Sequence, residues 1–254
     1  MTMKKNFSEE NGALIEGRNA VSEALRAGRR LDKVYVAAGD TDATLKALAA
    51  KARAAGAVVS ETDRRKLDSM SESGSHQGII ALAAIKEYAS VEDILDIAAQ
   101  RGEAPLVIIC DGITDPHNLG AIIRTAEAAG VHGIIIPKHR SAGVTATVEK
   151  TSAGAVEHMA VARVTNIAAE MEKLKKLGVW IYGTAADAPA SVWETSLTGP
   201  AAIVIGSEGD GMSRLVREKC DFLVSIPMRG KVSSLNASVS AALLIYEAMR
   251  QRGI

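Results

Sequence analysis

Apolar and polar positions along this chain follow two rhythms. Short apolar runs of strand length, KVYVA at 33–37, AVVS at 57–60 and GIIALA at 78–83, alternate with segments at helical spacing, AVSEALRAG from Ala20, TLKALAAKARAAG at 44–56 and TDRRKLDSM at 62–70. The first two helical segments end on Gly28 and Gly56, and Asn19 stands where a cap would open the first. This predicts a small α/β unit over residues 1–85. In the following segment Ser90 precedes Asp93 by three positions, a variant of the capping box, which predicts a helix within a linker at 86–104.

The alternation resumes over residues 105–254. PLVIIC, GIIIP, VWIYG, AAIVIG and FLVSIP are apolar on both faces, and NLGAIIRTAEAAG, NIAAEMEKLKKLG and MSRLVREK separate some of them at helical spacing before a long apolar helix, SLNASVSAALLIYEAMRQ. Strands without an exposed face predict a parallel sheet covered on both sides. The longest apolar runs, Leu106–Cys110 and Ala201–Ile205, fall far short of the roughly 20 residues of a membrane helix. MTMKKNFSEENG lacks the apolar core of a secretory signal, so the expected location is the cytoplasm.

Charge adds little, because 30 Lys and Arg balance 30 Asp and Glu. Residues 1–85 hold 13 basic against 11 acidic side chains, and the remainder 17 against 19. Two Trp, four Tyr and two Phe are too few for a base-stacking platform, so a nucleic acid would be held through its backbone and shape. Cys110 and Cys220 form no CxxC or metal spacing and read as buried thiols. The five histidines are scattered without ligand spacing, and no metal is expected.

Three loops in the second part fall beyond strand carboxyl ends, where parallel sheets present ligands. In DGITDPHNLG, Pro116, His117 and Asn118 suit a turn and cap as well as a site. Arg124 follows at about 140° round the helix from Leu119, away from the Leu119, Ile122, Ile123 and Ala126 stripe. Ala121, Glu127 and Ala128 surround it, a thinly charged face for one that only meets water. GSEGDG, at 206–211, is spaced GxxGxG rather than GxGxxG and lacks GK[ST]. Glu208 puts a carboxylate where a pyrophosphate would sit, so a ligand without phosphate, such as a sulfonium cofactor, fits better. SIPMRGKVSSLNAS gathers Ser233, Ser234 and Asn236 where the last helix begins, more polar groups than one cap needs, and cap and site both remain open.

NLGAIIRTAEAAG, IVIGSEGDGM and SIPMRGKVSSLNASVSAA, in this order and spacing, resemble the three motifs of the SpoU (TrmH-like) class of SPOUT RNA methyltransferases. IEGRNAVSEAL and SHQGIIALA resemble the small L30e-like substrate-binding domain of the branch that modifies large-subunit ribosomal RNA. The resemblance implies S-adenosyl-L-methionine as cofactor and a ribose 2′-hydroxyl of 23S rRNA, on a guanosine, as acceptor. It also implies a SPOUT domain with a C-terminal trefoil knot, and a homodimer that packs helices near the site. Arg124, Asn118, Glu208, Ser234 and Asn236 become the implied catalytic set. Backbone groups of Thr184, Gly206, Ile226, Met228 and Leu235 are implied around the cofactor. Because a guanidinium stays protonated, Arg124 is expected to stabilise a developing alkoxide and grip phosphate rather than act as a base. Substrate selection then falls to the first domain, through residues such as Arg18, Arg29, Arg30, Arg64 and Arg65 against a folded RNA loop. The rivals are the same chemistry on tRNA or another rRNA site, thiopeptide-resistance methylation included, and a non-catalytic RNA-binding assembly factor.

Overall fold

The computed structural model describes residues 14–39, 42–71, 73–83, 86–232 and 234–253. The chain divides into two compact units, Met1–Glu87 with Val144–Thr147, and Tyr88–Gly143 with Val148–Ile254.

The first unit runs β1 (Leu14–Glu16), α1 (Arg18–Arg26), β2 (Leu31–Ala37), α2 (Ala43–Ala54), β3 (Val58–Thr62), α3 (Arg64–Met70) and β4 (Ile79–Ala83). Its sheet has the order β1-β4-β2-β3, with β2 and β3 parallel and β4 antiparallel to both its neighbours. Alternate residues face opposite ways in a strand. Val34, Val36, Ile79 and Ala81 accordingly pack with Val21, Leu45 and Leu48, whereas Tyr35, Ile80 and Leu82 pack with Leu67 and Met70 of α3. The cap expected at Asn19 is corrected here. Helix α1 begins two residues earlier than expected, after Gly17 at φ +88°, with no side-chain cap of its own. Instead the Arg18 backbone N–H donates to Gln77 Oε1 at 3.2 Å, a partner 59 residues away that no local pattern reveals.

The second unit runs α4 (Val91–Arg101), β5 (Leu106–Asp111), α5 (Pro116–Ala128), β6 (Gly133–Pro137), α6 (Ala146–Thr151, whose first two residues are grouped with the first unit), β7 (Val161–Val164), α7 (Ile167–Lys176), β8 (Trp180–Thr184), β9 (Ala190–Ser191), β10 (Ala201–Gly206), α8 (Arg214–Lys219), β11 (Phe222–Ser225) and α9 (Ala237–Gln251). The strands form one sheet, β7-β6-β5-β10-β8-β11-β9, in which every pairing is parallel. Such a sheet must be covered on both faces. Val107 and Ile109 of β5 join Ile94 of α4, Met171 and Leu174 of α7 and Val216 of α8 in one core cluster. Helices α5 and α9 pack against each other and cover the other face, with Leu119, Ile122, Ile123, Leu244 and Ile245 fully buried.

The capping box at the start of α4 forms: Asp93 N donates to Ser90 Oγ at 3.0 Å and Ser90 N to Asp93 Oδ2 at 2.7 Å. Residues 86–104, read as a linker, thus carry a helix whose Val91 and Ile94 belong to the second unit's core. The sequence pattern passed over β7 and β9. Arg163 interrupts the apolar run of β7, and β9 has only two residues.

Polar groups close the amino end of this sheet. Arg252 donates to the carbonyls of Ala104 at 2.5 Å, Leu197 at 3.0 Å, Pro105 at 3.3 Å and Gly199 at 2.6 Å, just ahead of β5 and β10. Nearby, His132 Nδ1 accepts from Leu106 N at 3.0 Å and its Nε2 meets Glu103 Oε2 at 3.0 Å. Burial outweighs that carboxylate and lowers the His132 pKa.

Candidate active site

From β5 the sheet continues through β6 and β7 on one side and through β10 and β8 on the other. Loops leaving β5 and β10 therefore diverge and open a crevice at the carboxyl edge. Asp115 caps α5 by accepting from His117 N at 2.9 Å, and Pro116 opens the first turn, where its missing N–H costs nothing. That fixes Asn118 in the first turn of the helix.

Asn118 Nδ2 donates to Glu208 Oε1 at 2.8 Å. Asn236 Nδ2 donates to Asn118 Oδ1 at 2.9 Å and also to Glu208 Oε1, which takes a further bond from Ala237 N at 3.3 Å. The other end of the Asn236 amide accepts from Ser238 N at 2.9 Å, Ser238 Oγ at 2.6 Å and Val239 N at 3.2 Å. Cap and site therefore both hold for this segment: one face of the amide starts α9 while the other closes a three-residue network. A carboxylate taking several N–H donors is held firmly in one place.

Glu208 rises from a turn in which Ser207 and Gly211 exchange backbone bonds of 3.0 and 3.1 Å. A Cβ on Gly206 would collide with the backbone of Gly211 and Met212. Close approach of the chain to itself explains this glycine without any phosphate.

A cavity of about 400 Å³ lies at this edge, lined by Thr184, Gly206, Glu208, Ile226, Met228, Ser234 and Leu235 among others. It thus brings together all the residues expected around the cofactor and two of the expected catalytic set. Ser233 lies outside the described residues. Thr184 Oγ1 donates back to Val204 O at 2.9 Å, so its hydroxyl is already engaged by the strand. Sequence reasoning missed Asp187 and Arg217, which line the same cavity and pair through bonds of 3.0 and 2.9 Å. Arg217 holds the Asp187 carboxyl below the usual range. Thirty residues separate the two, and neither stands in a motif.

The lining suits an adenosyl sulfonium. Its volume falls in the ~300–1,000 Å³ range of small-ligand pockets. Ile205, Met212, Val224, Ile226 and Leu235 suit a base, and Asp187, Glu208 and Asp210 outnumber Arg217, which favours a cation. Burial pushes the Cys110 and Cys220 thiols up to about 12, which disfavours their thiolates.

Arg124 sits elsewhere on α5. It is exposed, has no hydrogen bond or ion pair among the described residues, and lines a separate cleft with Glu127 and His158.

In the first unit, strand direction sorts the five arginines. Arg18, Arg64 and Arg65 follow β1 and β3 at one edge of the sheet, whereas Arg29 and Arg30 precede β2 at the opposite edge. Arg18 is tied within the unit, to Asp42 Oδ2 at 2.5 Å and Gln77 O at 3.1 Å, and Arg30 pairs with Glu87 at 3.0 Å.

Residues 105–246 match the SpoU rRNA methylase family, and residues 14–89 match a family described as RNA 2′-O ribose methyltransferase substrate binding. Over 246 residues the chain is 48% identical to YacO of Bacillus subtilis, assigned to the TrmH family of tRNA/rRNA methyltransferases, covering 97% of this chain and 98% of that protein. It is 46% identical over 239 residues to the 23S rRNA (guanosine-2′-O-)-methyltransferase RlmB of Vibrio parahaemolyticus, covering 94% and 96%. The solved SpoU methyltransferase AviRb from Streptomyces viridochromogenes, in complex with AdoMet, is similar with a TM-score of 0.60 at 26% identity, over 94% of this chain and 90% of that one.

Proposed function

The chain belongs to the SpoU rRNA methylase family, and we infer that it methylates the ribose 2′-hydroxyl of a guanosine in 23S rRNA, with S-adenosyl-L-methionine as the methyl donor. One observation carries the reading: Asn118, Glu208 and Asn236, drawn from three separate segments of the chain, close one network beside a cofactor-sized cavity, with Arg124, unpaired among the described residues, further along the helix that carries Asn118.

The cofactor supplies a methyl group on a positively charged sulfur. Backbone groups of Thr184, Gly206, Ile226, Met228 and Leu235 hold it, and the apolar side chains among them exclude water. Glu208, fixed by Asn118 and Asn236, keeps the 207–211 turn in place, and Ser234 hydrogen-bonds the reacting region. Arg124 stabilises the charge developing on the 2′-oxygen as its proton passes to solvent, and grips the neighbouring phosphate through its planar fork.

The cavity-bearing unit acts as a homodimer. Support comes from an apolar groove on α5 and α9, where Val239, Leu243, Tyr246 and the neighbouring Trp193 are each at least 36% exposed beside Ala121 and Ala242. The return of segment 226–236 from β11 to Glu208, at the end of β10, supports a trefoil knot in this SPOUT domain, an exception to the rule that chains avoid threading. Residues 1–85 serve as an L30e-like RNA-binding domain joined through 86–104 to the catalytic part at 105–254. Arg64 and Arg65 meet RNA on an edge that Arg18 braces, and Arg29 and Arg30 make a second contact. The enzyme works in the cytoplasm, without a metal. Among the described residues no helix is long and apolar enough to cross a membrane.

Incubation with unmodified 23S rRNA and labelled cofactor, followed by mapping of ribose methylation, tests the reading. One 2′-O-methylguanosine is expected. Methylation of tRNA alone would move the substrate, and cofactor binding without transfer to any RNA would leave a binding factor rather than an enzyme.

A further inference from the structure

Helix α5 buries Leu119, Ile122, Ile123 and Ala126, and its remaining arc divides between two neighbours. Ala121 and Thr125 face the apolar groove shared with α9. Arg124, Glu127 and Ala128 face a cleft of about 340 Å³ whose other wall is Ser152–Ala155 with His158. That wall is built rather than loose. Ser152 Oγ donates to Glu149 O at 2.9 Å and accepts from Val156 N at 3.4 Å. Ala153 at φ +51° and Gly154 at φ +83° then turn the chain sharply, an uncommon conformation for an alanine. Close approach at Gly120, where a Cβ would strike the Thr151 side chain, pins α5 against this segment.

Glu127 is the unexpected member of the cleft. It is exposed, lies one turn from Arg124, and forms no hydrogen bond or ion pair among the described residues. An unpaired carboxylate beside an RNA backbone repels phosphate, so its place there calls for a partner rich in N–H donors. Of the four bases only guanine presents two adjacent donors, N1–H and the N2 amine, on its Watson–Crick edge, spaced to meet both oxygens of a carboxylate. Ala128, Ala153, Gly154 and Ala155 leave room for a flat ring, and His158 supplies an aromatic face.

We propose that this cleft receives the guanine of the methylated nucleotide, with Glu127 accepting from N1–H and N2–H while Arg124 addresses the sugar and phosphate of the same nucleotide. The assignment rests on the functional reading above and deepens it: Glu127 sets base identity, whereas the network and Arg124 set the reaction.

The test uses the full-length protein and a synthetic 23S rRNA fragment carrying guanosine, inosine or adenosine at the position that the wild type methylates. Inosine keeps N1–H and lacks only the N2 amine. Wild type is expected to prefer guanosine over inosine about 5- to 150-fold in kcat/KM, the range of one good bidentate base contact, and to disfavour adenosine more. In Glu127→Ala both rates fall and the guanosine-to-inosine ratio collapses to about one, and Glu127→Gln, which keeps one acceptor, lies between. Cofactor affinity and melting temperature stay at the wild-type value in both. For a variant too slow to assay, RNA affinity measured by titration with S-adenosylhomocysteine present gives the same ratio. A guanosine-to-inosine ratio that survives in Glu127→Ala overturns the proposal while leaving the enzyme's function intact. A wild type that transfers no methyl to the guanosine fragment overturns the functional reading first.

Discussion

Arg252 and Arg124 belong to one parallel-sheet unit and sit under opposite conditions. Arg252 is surrounded by four carbonyls that precede β5 and β10, and desolvation lowers its pKa while leaving it charged. Arg124 lies on α5 with no partner among the described residues. A guanidinium with four of its five donors used holds the scaffold, and one whose donors are free is available to a ligand. The same contrast separates His132, buried between Leu106 and Glu103, from the exposed His117 and His158.

Substituting the two arginines should split their effects. Arg124→Ala is expected to lower methyl transfer by about 10²–10³, the usual cost of removing one donor to developing charge, while cofactor affinity stays within a few-fold. Arg124→Lys should fail as well, because an ammonium cannot reproduce the planar fork; full activity in the lysine variant would contradict the assigned role. Both are read from single-turnover rates beside a cofactor titration.

Arg252→Ala should do the reverse. Leaving several carbonyls without a charged donor is expected to cost about 2–3 kcal/mol, a fall of roughly 5–10 °C in melting temperature, with the rate per folded molecule nearly unchanged. An activity loss without a stability loss would break the comparison.

A smaller effect is expected in the first unit, at Arg64 and Arg65. Replacing both with alanine should weaken RNA binding and flatten its salt dependence by at most about two log units per log unit of salt. Arg18→Ala should instead lower the stability of that unit, as read by urea unfolding.

The smallest effect concerns pH. Burial disfavours the charged form of His132, so its folded pKa lies below the ordinary 6.5. Stability from this group is complete above 6.5 and declines as pH falls below it, because the unfolded chain binds the proton more readily. A melting-temperature profile from pH 7.5 to 5.5 should fall less steeply in His132→Gln.

Periodicity was enough to place most strands of the large sheet, because a strand buried on both faces reads as an unbroken apolar run. It failed at β7, which carries Arg163, and at β9, too short to have a pattern. The α1 cap was hidden for another reason, since its acceptor on Gln77 belongs to a distant segment. In the site, Asn118, Glu208 and Asn236 were legible as motif residues, but that one Glu208 oxygen serves three donors is a property of the folded chain. The cleft beside Glu127 was not legible, because its other wall, Ser152–Ala155 with His158, lies on another part of the chain.

The double duty of Asn236 also sets a clock. The bond it makes to Asn118 spans 118 positions, and the same amide starts the helix that covers one face of the sheet. At about 5–20 residues per second, ribosomal synthesis takes roughly 6 to 24 s to travel from one asparagine to the other. Throughout that interval the nascent chain can already hold β5 and α5, yet the network remains open and the catalytic edge unfinished. The network therefore closes only after residue 236 has been made.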